Sequence, residues 1–324
     1  LCVYVSLVEQ NPFGVTLNET DYDGLAIKGS NGYEAKMEES VPEMAVTSEN
    51  GHTPFYFKNH YILAPGNSTA SMKAGKSETD ETIVIGKTYV TPPDDNTAEY
   101  CRLTLDNIKI HSEQSGIRVN NHNTELITRG DNSIVSENES AVFASFYSDS
   151  GDIDTLAFGG SGSLSCDVSL DKLYGAIVSM RNIVINSGTI AAHSTASTAI
   201  FSESQNPDDS VTVNGGNVNV KGAFGLYGNN ININDGKVTG IDEGDTETLV
   251  IGSKGDIALS GGSVDVKSGS YAVGAEGKIT ISGGAHHLLA ENDNNQYVYG
   301  LYANGGIHVS GGTTWVSGNT NDIQ

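Results

Sequence analysis

The residues of this chain most able to do chemistry are carboxylates and aromatic rings placed at recurring positions. Two stretches are dense in acids, Gly240-Ile241-Asp242-Glu243-Gly244-Asp245-Thr246-Glu247 and Ala290-Glu291-Asn292-Asp293-Asn294-Asn295. Carboxylate oxygens suit a hard cation such as Ca²⁺. Asp242, Glu243, Asp245, Glu291 and Asp293 are therefore candidates for one shared cation, against the alternative of solvated turn residues that keep two loops soluble. Neither stretch has the Asp-x-Asp-x-Asp-Gly spacing of a calcium loop. The rings are Phe201, Tyr227 and Tyr302, preceded two residues earlier by Ala199, Gly225 and Gly300. A ring left open by small neighbours can pack on the apolar face of a pyranose while nearby Asn, Asp and Gln take its hydroxyls. Tyr297 and Trp315 are further candidates for that role. The alternative puts these rings inside the protein, or uses Trp315 to cover its end.

Other chemistries find less support. Proton abstraction beside a cation needs a positioned base, and Lys237, Lys254, Lys267 and Lys278 are tied by spacing to neither acidic stretch. No catalytic residue is assigned on that ground. His286 and His287 are adjacent, so in a strand their rings point to opposite faces and cannot share a metal. No Gly-x-Ser-x-Gly, His-Glu-x-x-His or phosphate-loop motif is present. Cys2, Cys101 and Cys166 are too few for a disulfide framework, although one bridge stays open. With 17 Lys+Arg against 40 Asp+Glu the formal net charge is −23, which repels nucleic acid and anionic membranes. No apolar run is long enough to span a membrane. The chain starts on the strand-like Leu1-Cys2-Val3-Tyr4-Val5, so an export signal is expected to have been removed.

The elements that must position these groups are short strands. The 39 glycines and 7 prolines, with abundant Ile, Val, Asn, Ser and Thr, favour strands and turns over helices. From residue 180 one unit returns six times: Ile183-Val184-Ile185-Asn186-Ser187-Gly188, Val211-Thr212-Val213-Asn214-Gly215-Gly216, Ile231-Asn232-Ile233-Asn234-Asp235-Gly236, Ile257-Ala258-Leu259-Ser260-Gly261-Gly262, Ile279-Thr280-Ile281-Ser282-Gly283-Gly284 and Ile307-His308-Val309-Ser310-Gly311-Gly312. The last glycines are 28, 20, 26, 22 and 28 residues apart, a period that signals a solenoid. Ile-x-Ile puts two side chains on one strand face, and the glycine pair permits a corner. Stacked coils then align Ile and Val into internal ladders. A further segment follows in each coil, as in Thr198-Ala199-Ile200-Phe201, Phe224-Gly225-Leu226-Tyr227 and Tyr299-Gly300-Leu301-Tyr302, which predicts three strands per turn. Aligning these segments puts Ile200, Leu226, Val250, Val273 and Leu301 in one column and Phe201, Tyr227, Ile251, Gly274 and Tyr302 in the opposite-facing one. Degraded copies appear upstream at 103–110, 116–119, 126–127 and 159–164. The Pro92-Pro93 loop marks a boundary between a region 1–97, either irregular coils or a small β domain, and a parallel β-helix over 98–324.

The stretch from about 100 to 320 resembles a family of secreted bacterial β-helix proteins with a carbohydrate-binding domain, mostly from clostridia and related gut Firmicutes. The residues that carry the resemblance are Leu103-Thr104-Leu105-Asp106-Asn107-Ile108, Gly160-Ser161-Gly162-Ser163-Leu164 and the Ile-Thr-Ile-Ser-Gly-Gly unit at 279–284. The resemblance implies a right-handed parallel β-helix similar to polysaccharide lyases, binding of plant cell-wall or acidic polysaccharide, and bound calcium. The expected function is a secreted or cell-surface polysaccharide-binding β-helix without catalysis. The alternatives are a calcium-dependent polysaccharide lyase, and a stalk or adhesin that binds a host protein or cell-surface partner.

Overall fold

In a computed structural model the repeated Ile-x-Ile units become strands whose alternate side chains line one continuous interior. The structure describes residues 73, 78–85, 101–120, 123–145, 154–168, 174–242, 248–292 and 298–318 with their side chains, and only the backbone of strand residues at 26–28, 34–36, 44–50, 55–57, 60–63, 68–72, 74, 86, 100 and 321–323. Every named element of the described chain is a β-strand, and the protein is an all-β parallel solenoid.

An eleven-stranded sheet carries the Ile-x-Ile strands. Asn182–Ile185, Ser210–Val213, Asn230–Ile233, Ile257–Leu259, Ile279–Ile281 and Ile307–Val309 pair in parallel, each with the next coil. A nineteen-stranded sheet holds two runs of parallel pairs. The first contains Ser163–Val168, the early part of Thr189–Ser202 and of Asn217–Gly228, then Lys237–Asp242, Ser263–Ser268, Ala285–Ala290 and Thr313–Gly318. The second contains the later part of those two long strands, then Leu249–Ser253, Tyr271–Ala275 and Tyr299–Ala303. Thr189–Ser202 and Asn217–Gly228 pass through both runs, so the two outer faces are neighbours.

The corner between the sheets explains the glycine pair. The second glycine of each unit is left-handed, with φ from 62° at Gly262 to 85° at Gly284, a region that costs an L-residue about 1–2 kcal/mol. Stacking is close at the first position where it too is glycine, since a Cβ at Gly261 would meet the Asn234 carbonyl of the coil before, whereas Ser187 and Asp235 take that position in two other units. The polar residue ahead of the pair forms its own stack. Asn214 Nδ2 donates to Asn186 Oδ1 (3.0 Å), Asn234 Nδ2 to Asn214 Oδ1 (2.9 Å) and Ser260 Oγ to Asn234 Oδ1 (2.9 Å).

Inside, Ile183, Val211, Ile231, Ile257 and Ile279 form one fully buried column. Ile200, Leu226, Ile251, Val273 and Leu301 form another. Each such side chain contributes roughly 1.5–3 kcal/mol by leaving water. This second column corrects one alignment, because Ile251 occupies the place expected for Val250 and Gly252 faces outward where Ile251 was expected. Val250 and Ile251 both point in, as do Ala199 with Ile200 and Ala272 with Val273, so simple alternation fails in this segment of successive coils.

Parallel pairing continues upstream. Tyr100–Asp106 pairs with Asn123–Arg129 and with Ser68–Ala74, and Thr82–Gly86 pairs with Ile117–Asn120 and His60–Leu63. Further back Met44–Asn50, Phe55–Phe57 and the pair Ala26–Lys28 with Glu34–Lys36 are antiparallel. Cys101 and Cys166 are both buried, and Cys2 lies outside the described residues.

Candidate functional site

The outward positions of the second run form an apolar stripe that starts upstream of the expected rings. In register along it come Arg118, Phe143, Val178, Phe201, Tyr227, Gly252, Gly274 and Tyr302. Arg118 lies over the Phe143 ring at 5.6 Å. A parallel row adds Phe224, Leu249, Tyr271 and Tyr299. Two ring clusters result. Tyr227 is 5.9 Å from Phe201 and 5.6 Å from Phe224, and Tyr271, Tyr299 and Tyr302 lie 5.5 Å from one another. Leu249 bridges them, because it lies over Gly252 and Gly274, where its Cδ atoms would meet an added Cβ at 2.2 and 3.0 Å. From Phe201 to Tyr302 is four strand steps, about 19 Å.

The structure thus brings the expected Phe201, Tyr227 and Tyr302 to one outer face. Their small neighbours act differently from expectation. Gly225 and Gly300 face inward, where a Cβ would strike the Val250 carbonyl at 2.4 Å and Val316 Cγ1 at 2.3 Å, and Ala199 is fully buried. They permit close packing inside rather than clearing space beside the rings. Partial burial, then Glu276, raises the Tyr227 phenol above its ordinary pKa, so it stays a hydrogen-bond donor. Tyr302 Oη donates to Asn304 Oδ1 at 2.8 Å.

Of the five acidic candidates, Glu243, Asp245 and Asp293 lie outside the described residues, as does Tyr297. Asp242 and Glu291 stand at the same edge of the first run, with the Ser263–Ser268 strand between them. Asp242 Oδ2 accepts from Thr248 Oγ1 (2.5 Å), from Ser268 Oγ and from the Gly269 amide (2.8 Å). Glu291 pairs with Lys267 at 3.5 Å. Among the described residues no three His, Cys, Asp or Glu side chains gather as metal ligands would. His286 points inward and is 4% exposed, while His287 points out and stacks on Trp315 at 4.3 Å.

Trp315 belongs to the neighbouring face, the outer side of the first run. There a groove of about 560 Å³ opens across five strands. Its floor row is Ser165, Ala191, Asn219, Thr239 and Asp265, and its wall row is Asp167, His193, Lys221, Ile241 and Lys267. The floor row continues in register to His287 and Trp315. Sequence reasoning missed this groove although a signal exists. The residue three places after each corner glycine, counted from 188, 216, 236, 262, 284 and 312, gives Ala191, Asn219, Thr239, Asp265, His287 and Trp315.

The outer surface of the solenoid thus carries an aromatic stripe and, on the adjoining face, a groove that crosses five strands. Residues 86–324 match the family described as carbohydrate-binding domain-containing protein, which is well over half of the chain, and the chain belongs to that family. No curated protein and no solved structure matches it.

Proposed function

We propose that this protein is a secreted or cell-surface carbohydrate-binding solenoid that works without catalysis, with residues 98–324 as the binding unit. Its turns are taken as right-handed with three strands each, like those of polysaccharide lyases. Family membership supports a carbohydrate partner. The observation that carries the reading is the stripe of half-buried rings, Phe201, Phe224, Tyr227, Tyr271 and Tyr302, on one outer face. Such rings offer apolar faces to pyranoses at the spacing of the strands.

The test is retention on cellulose, xylan and polygalacturonate by affinity electrophoresis and pull-down. Retention that falls roughly tenfold in the Tyr227→Ala and Tyr302→Ala double variant is expected. No retention on any glycan sinks the reading and favours a stalk or adhesin with a protein partner. Release of unsaturated products from the pectic substrate moves the assignment to a lyase.

A further inference from the structure

The groove on the first run has three features that together define a ligand. The first is direction. Ala191, Asn219, Thr239, Asp265, His287 and Trp315 stand one per coil in a straight register, five strand steps or about 24 Å in length. A chain lying on this row runs parallel to the solenoid axis and meets one floor residue at each strand spacing of about 4.8 Å.

The second is chemistry. Asn219 and Asp265 are exposed and Thr239 is half-buried; Thr239 Oγ1 donates to Asn219 Oδ1 and Asp265 Oδ1 faces His287, so the floor keeps the Asn219 amide N–H groups and Asp265 Oδ2 for sugar hydroxyls. Trp315, 50% exposed and backed by His287, forms an aromatic shelf at one end. Ile241, 55% exposed, adds an apolar surface to the wall. Polar groups around an apolar or aromatic anchor are what a pyranose, with its apolar face and polar rim, requires.

The third is charge. The ionic groups of the groove already have partners within the protein. Asp167 Oδ1 lies 3.3 Å from His193 Nδ1, and Asp167 Oδ2 accepts from Ser165 Oγ at 2.8 Å. Asp265 Oδ1 lies 3.0 Å from His287 Nδ1, Lys267 pairs with Glu291 at 3.5 Å, and Lys221 is engaged too. Among the described residues of the groove no cation is left over to meet a uronate carboxylate, and the net charge of −23 repels an anionic chain at long range.

We infer that this groove, with Trp315 as its aromatic end, is a binding site for a single neutral glycan chain laid along the solenoid axis. The inference rests on the carbohydrate-binding reading and adds to it a second site, on the face next to the ring stripe, with a direction and a ligand class. The test is isothermal titration of the full chain with soluble neutral oligosaccharides (cello-, xylo- and manno-hexaose) and with oligogalacturonate. The variants are Trp315→Ala, Asn219→Ala, the groove-filling Ala191→Trp and the distant control Lys278→Ala, with far-UV circular dichroism to check each fold.

The expected result is binding of at least one neutral hexaose that weakens about tenfold or more in Trp315→Ala and Asn219→Ala and stays unchanged in Lys278→Ala. A trimer should bind less tightly than a hexamer, since it covers fewer coils. Neutral binding that survives in all three groove variants overturns this site while leaving carbohydrate binding intact. Binding of oligogalacturonate alone overturns the neutral class. Absence of binding to any of the sugars overturns both the site and the reading on which it rests. Ala191→Trp can fail to fold, and Asn219→Ala, which only shortens an outward side chain, then decides.

Discussion

Replacing His286 with valine should remove one step from the acid sensitivity of the fold. His286 faces the interior between Val264 and Thr314 of the neighbouring coils and is 4% exposed. Its Nε2 lies 2.8 Å from the Gly283 carbonyl, and its Nδ1 has no hydrogen-bond partner. Burial lowers its pKa from the ordinary 6.5, opposed in part by the Gly283 contact. A histidine whose folded pKa is depressed is neutral in both states above about 6.5. Below that value the unfolded chain takes up a proton that the native one refuses, so stability falls as pH falls. One proton gives at most about 1.4 kcal/mol per pH unit, and between pH 7.5 and 5.5 the loss integrates to no more than about 1.4 kcal/mol. Valine fits the column, because Val264 fills the same place one coil earlier. The assay is guanidinium unfolding of the native protein and His286→Val at both pH values. The wild-type midpoint should fall more than that of the variant, and the double difference isolates this residue from the other titrating groups. Equal falls would mean that His286 is not held neutral in the interior, and the reasoning would fail.

Four other outcomes follow from the same structure. Gly216→Ala places an L-residue at φ 76° with its Cβ 2.5 Å from the Gly188 carbonyl, and should lower stability by at least about 2 kcal/mol, against a negligible change for the exposed Asn217→Ala in the same assay. Asp242→Ala strips the acceptor from Thr248, Ser268 and the Gly269 amide and should cost about 3 kcal/mol. A calcium site at this edge predicts an unfolding midpoint that rises with calcium in the wild type and not in Asp242→Asn, and no rise in the wild type leaves Asp242 as a corner brace alone. Cys166, whose thiol pKa is pushed well up by burial and then by Asp167, should be silent to a thiol reagent until guanidinium unfolds the chain, and rapid native labelling at that position would contradict its burial.

The coil and its corner were legible in the sequence because two local rules wrote them. Alternation set Ile183 and Ile185 on one face, and the left-handed corner demanded glycine at 188, 216, 236, 262, 284 and 312. The outward rings Phe201, Tyr227 and Tyr302 followed from the same alternation. Phe224, Tyr271 and Tyr299 escaped because the stripe is two columns wide and the opposite-facing column marks only the later one. Val250 escaped because this segment turns two consecutive residues inward in successive coils, Ala199 and Ile200, Val250 and Ile251, Ala272 and Val273, which strict alternation does not allow for. The groove escaped for a different reason. Asn219, Thr239 and Asp265 each look like an ordinary outward polar residue, and coils of 20 to 28 residues conceal their register until the chain is counted from the corner glycines.

That fixed count from the corner has an evolutionary consequence. Variation in coil length is absorbed in the loops, while the floor residue always falls three places after the glycine. Duplication or loss of one unit would lengthen or shorten the recognition surface by a single rung without disturbing the others. Exchange of one residue per rung would rewrite the ligand preference locally. The molecule is in this sense a modular ruler, whose graduations can be added, removed or relabelled one at a time.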